Sequence, residues 1–137
     1  MKQLESADLP LYIDRETLPL LRLRYVGDYS DAELSEFLRK LENVLELPGR
    51  KAAVIDLSQA SAGTATQRQM QASWIGKQEK LLAREFSAAA IVTDSAIIRG
   101  TVTAVFWIRP LPFPTRVTAT VKMAEDWLAP YLEPTKT

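Results

Sequence analysis

Two short runs constrain the fold more than anything else in this chain: KAAVIDLS at 51–58 and AAAIVTD at 88–94. Each is almost continuously apolar over a length that suits a strand. Such runs are expected of strands buried on both faces, as in a parallel sheet that helices cover. The segments around them should then carry helical periodicity, and they do. In YSDAELSEFLRKLENVLELPG, residues Leu34, Phe37, Leu38, Leu41, Val44 and Leu45 fall on one apolar stripe. Ser30 and Glu33 have capping-box spacing, and Pro48-Gly49 stops the helix. TATQRQMQASWIGKQEKLLAREF reads as one continuous second helix, started by Thr64 or Thr66, with Thr64 and Gln67 again at capping-box spacing. Its apolar side is Met70, Trp74, Ile75, Leu81 and Leu82; Lys77, Lys80 and Arg84 make a wet basic stripe opposite.

Ahead of these, LYID and LLRLRYVG read as an antiparallel hairpin, because Leu21, Leu23 and Tyr25 alternate with Arg22 and Arg24. Behind them come a helix over 96–108 that Pro110 cannot continue, a strand in TRVTAT, and a last helix in VKMAEDWLAPYL. The order ββαβαβαβα predicts an α/β sandwich with a mixed, mainly parallel sheet covered by helices. One domain is expected over 11–132, after an N-terminal segment at 1–10 and before a loose tail at 133–137.

Composition excludes several chemistries. The chain has neither cysteine nor histidine, so the usual ligands of zinc, haem and iron–sulfur clusters are missing, as are Ser-His-Asp and Cys-His catalysis. No metal, no cofactor and no enzyme activity are expected. Seventeen basic and seventeen acidic residues cancel, which disfavours nucleic acid. The start MKQLESADLP has no apolar core of a signal peptide, and no stretch approaches the ~18 apolar residues of a membrane span. Lack of cysteine fits a reducing compartment, so a cytoplasmic location is expected.

The element order, AVIDLS leading through a loop to a capped helix, and VTATVKMAEDWL near the end resemble the STAS domain over roughly residues 11–132. That is the fold of anti-sigma-factor antagonists and their SpoIIAA-like and SEC14-like relatives. The resemblance implies a non-catalytic regulatory domain that docks a protein partner. It also implies a phosphorylated serine or threonine at the start of the helix after the third strand. The matching positions are Ser58, Ser61, Thr64 and Thr66, although the family's D-S-S/A-G segment is here SAGTATQ. The competing role for Thr64 or Thr66 is a helix cap. The SEC14-like branch suggests an alternative, a carrier or sensor of a small apolar molecule.

Three further groups stand out. Asp56 and Asp94 end neighbouring buried strands, where ligands gather in open α/β sheets; they would hold a cation, act as acid and base, or close turns. Ser95 and Arg99 could contact an anion at a helix start, yet Asp94 or Ser95 as a cap explains that pair without a ligand. The helix over 96–108 is apolar around nearly its whole circumference, whereas a helix on a sheet needs to hide only one face. Its excess implies a homo-oligomer or partner surface, assigned to Trp74, Ile98, Val102, Val105, Phe106, Trp107 and Phe113.

Overall fold

A computed structural model describes residues 10–132. The expected N-terminal segment, apart from Pro10, and the tail at 133–137 lie outside the described residues. The elements run β1 (Leu11–Asp14), β2 (Leu20–Gly27), α1 (Asp31–Leu45), β3 (Lys51–Ala60), α2 (Ala65–Lys77), α3 (Glu79–Glu85), β4 (Phe86–Val92), α4 (Ala96–Ile108), β5 (Thr115–Thr118) and α5 (Val121–Leu132). One sheet has the order β1-β2-β3-β4-β5, with β1 antiparallel to β2 and every other pair parallel. The expected mixed, mainly parallel sheet is therefore present.

This strand order decides where the helices lie. Neighbours in sequence are neighbours in the sheet, so each right-handed crossover passes over the same face. That front face carries Leu21, Leu23 and Tyr25 of β2, and it packs against α1, α2 and α3 in one core with Leu34, Phe37, Leu41 and Leu45. The back face presents Ala52, Val54, Ala88, Ala90 and Val92, and among the described elements α5 covers it with Ala124 and Leu128.

Two expectations about α1 hold in detail. Ser30 Oγ accepts the Glu33 N–H at 3.0 Å, and the Glu33 carboxylate accepts the Ser30 N–H at 2.8 Å. All six stripe residues are buried. The single helix expected over 64–86 is corrected to two. The chain kinks at Gln78, which leaves helical geometry although its N–H still donates to the Trp74 carbonyl at 3.0 Å. The kink follows Gly76, a poor helix former, and the Arg109 guanidinium sits so close there that a Cβ would meet its Nε at 3.0 Å. Phe86, expected at that helix's end, opens β4 instead and is buried.

Candidate functional site

α4 is the element whose surroundings depart most from those of an ordinary sheet-covering helix. Its start is built by Ser95, whose Oγ accepts the Ile98 N–H at 3.2 Å while its own N–H donates to Thr93 Oγ1 at 3.1 Å. Inward, Ile98, Val102 and Val105 are buried. Outward, Ala96, Ile97, Gly100, Ala104, Trp107 and Ile108 share one continuous arc at helical spacing, and all six are exposed. Ile97 is 73% exposed, Trp107 85% and Ile108 52%, so none of the described residues covers this arc. An ordinary surface helix places charge there. Here the exposed polar residues Arg99 and Thr103 sit at the flank of the arc. The Thr101 and Thr103 hydroxyls donate to the carbonyls one turn earlier, at 3.1 and 2.9 Å, and add little polarity.

This placement corrects the residues assigned to the outward surface. Ile98, Val102 and Val105 belong to the core. Trp74 is half-buried and its Nε1 donates to Glu42 Oε2 at 2.9 Å, tying α2 to α1. Phe106 is half-buried against the core, and Phe113 stacks on Phe86 with ring centroids 5.8 Å apart. Of the seven, Trp107 alone points out. Ile97 and Ile108, part of the apolar circumference but left out of that assignment, lie on the exposed arc. The spacing of 97, 100, 104, 107 and 108 on a helical wheel was the signal that could have found them.

The end of β3 and the loop after it are tied down by side chains. Ser58 Oγ donates to Asp56 Oδ1 at 2.7 Å, and Ser61 Oγ donates to the Gly27 carbonyl at 3.1 Å. Thr64 caps α2, accepting the Gln67 N–H at 3.0 Å, while Gln67 Oε1 accepts the Thr64 N–H at 3.1 Å. The Gln67 amide then donates to the Tyr29 carbonyl and to Asp31, bolting α2 to the start of α1. Gly63, at φ 71, has Gln67 Oε1 and the Tyr29 hydroxyl where a Cβ would press, so the turn requires glycine. Thr66, exposed one residue into α2, is the candidate hydroxyl with no hydrogen bond among the described residues.

Asp56, expected to end its strand, lies within it, since β3 runs on to Ala60. It accepts both the N–H and the hydroxyl of Ser58 inside the strand, where the register against β2 shifts. Asp94 is exposed beyond the end of β4. Among the described residues no three acidic side chains converge as a metal site would need. Ser95 is occupied as a cap, and Arg99, one turn on, is exposed. No helix among the described residues is long and apolar enough to cross a membrane.

No protein-family model matches the sequence, and no curated protein matches it. Among solved structures, it is similar to an uncharacterized protein of the DUF3478 family from Shewanella loihica, described as having a SpoIIAA-like fold. The two are 19% identical and superpose with a TM-score of 0.64, over 86% of this chain and 91% of the other. At that identity the likeness speaks for the fold alone. The chain has the SpoIIAA-like fold that its element order implied.

Proposed function

We propose that the chain is a non-catalytic association module of the cytoplasm that pairs with a second copy of itself through the outward arc of α4. One observation carries this reading: an exposed arc six residues long with no polar side chain on it. Contiguous apolar surface of this kind marks interaction sites on proteins that are otherwise monomers. The arc is also complementary to itself. An antiparallel pairing that sets Gly100 of one copy against Ala104 of the other lets the two backbones approach closely. The same register brings Ile97 opposite Trp107 at both ends of the crossing. It also places the exposed carboxylate of Asp94 beside Arg109 of the second copy. Among the described residues the ion pair of Arg109 is a long one, to Glu79 at 3.9 Å. A two-fold interface repeats each of these contacts.

One helix face offers less than the roughly 800 Å2 per partner of a standard interface, so the pairing should be weak and concentration-dependent. Light scattering over a concentration series should show the mass rising from one chain toward two. Ala104→Glu puts a charge at the crossing on a position that is open in the single chain. It should hold the mass at one chain and leave the circular dichroism unchanged. A wild type that stays monomeric at every concentration, or an Ala104→Glu variant that still pairs, would refute the proposal.

A further inference from the structure

The inward face of α4 does not close on the sheet. A cavity of about 150 Å3 lies between α4, α2, α1 and the front face. Its origin is legible in the strand register. One row across the front face reads Leu21, Ala53, Ala89, Thr115; the next reads Leu23, Ile55, Ile91, Val117. The second row has the bulk to meet a covering helix. The first drops to alanine at both central strands, and those alanines are buried floor of the cavity. Trp74 and Ile75 of α2 and Val102 and Val105 of α4 form the opposite wall. Leu57 and Ala60 at the end of β3 and Ala62 beyond it also line it and are only half-buried, as are Leu111 and Phe113 after α4.

None of the lining residues is charged. The polar lining is sparse: the Tyr25 hydroxyl donates to Gln71 Oε1 at 2.9 Å beside Tyr29, and the Ser61 and Thr101 hydroxyls are committed to the Gly27 and Ile97 carbonyls. Burial pushes both phenols up, so they remain neutral. Interiors rarely keep voids larger than a water molecule, and an apolar cavity of this volume has room for a benzene-sized guest.

We infer that this cavity is a binding site for a neutral, single-ring-sized apolar molecule carrying at most one hydrogen-bonding group, which Gln71 and Tyr29 would meet. A phospholipid or a long acyl chain is too large for it. A carboxylate would be buried without a cation. The site lies on the opposite side of α4 from the proposed pairing surface and does not depend on that reading.

Benzene, phenol and benzoate serve as probes. Benzene and phenol should raise the thermal midpoint in a saturable way. In the wild type they should also give intermolecular nuclear Overhauser effects to the methyls of Val102 and Val105. Benzoate should do neither. Ala53→Leu with Ala89→Leu fills the floor and should abolish the shifts. Should that double variant not fold, Ala89→Val is the gentler filling, with binding expected to weaken about tenfold or more, as one lost 1.4 kcal/mol implies. No saturable shift with either neutral probe, contacts to Trp107 or Ile97 in place of Val102 and Val105, or equal binding of benzoate would each overturn the assignment.

Discussion

α1 and α4 are both crossovers on the same face of the same sheet, 15 and 13 residues long, and they use apolar surface in opposite ways. α1 buries every apolar residue of its stripe and faces water with Asp31, Glu33, Glu36, Arg39 and Lys40. α4 buries three residues, all of them lining the cavity that also reaches Leu38, Leu41 and Leu45 of α1, and turns an uncharged arc outward. A hollow of that size forgoes packing that a filled core would supply. The contrast separates two jobs. The α1 half holds the sheet together, and the α4 half keeps surface available on both of its sides.

Core truncations should show the largest asymmetry. Leu34, with no exposure at all, lies away from the cavity; Leu34→Ala should cost about 3–4 kcal/mol of unfolding free energy. Val105 already borders the void, and Val105→Ala should cost about 1–2 kcal/mol. Chemical denaturation measures both. Equal losses would mean that α4 packs as tightly as α1, and the comparison would fail.

The next effect lies at the foot of α1. Lys51 is 2% exposed, and its ammonium donates to the carbonyls of Leu47 and Gly49 at 2.6 and 2.8 Å and to Glu85 at 3.2 Å. Lys51→Met should cost about 2–3 kcal/mol, because two carbonyls and a carboxylate lose their donor. Arg84 first, and Lys51 after it, hold the Glu85 carboxyl below its ordinary 4.5. With the folded value depressed, this contribution is whole above pH 4.5 and fades as the pH falls through the folded value. Glu85→Gln should therefore lower stability at neutral pH and flatten the acid limb of stability against pH. An unchanged acid limb would remove Glu85 from the latch.

The two halves also differed in how readily the sequence disclosed them. The cap at Ser30 and Glu33 and the stripe of α1 are local patterns, set by spacing within one helix, and they stand as read. The excess apolar character of α4 was equally legible. Its direction was misjudged because size was allowed to stand in for angle: Ile98, Val102 and Val105 are bulky, yet they lie on the inner arc. Trp74 and Phe113 were misplaced because their partners, Glu42 and Phe86, are distant in sequence. The kink at Gln78 was missed because the apolar period runs through it without a break. The cavity was out of reach altogether. A void is made by absent atoms, and Ala53 and Ala89 become a hollow only when the register sets them in one row beside Leu21.

Caps offer a smaller and sharper contrast. Ser30 works within a reciprocal box, whereas Ser95 accepts from Ile98 without a return bond from an acidic third residue. Ser30→Ala should cost about 1 kcal/mol and Ser95→Ala about half that, measured by thermal or denaturant unfolding. A reversed order would show α4 to be the more dependent on its start.

The smallest effect on the single chain should come from the most conspicuous residue. Trp107 is 85% exposed, so replacing it removes almost no buried area, and Trp107→Gln should shift stability by no more than about 0.5 kcal/mol in dilute solution. At concentrations where the wild type pairs, the same substitution should lower the apparent stability, because whatever binds only the folded chain stabilises it by mass action. The diagnostic is thus a wild-type melting temperature that climbs with concentration beside a variant whose melting temperature stays flat. Had Trp107 been part of the core, the loss would appear at every concentration alike, and α4 would have only one working face.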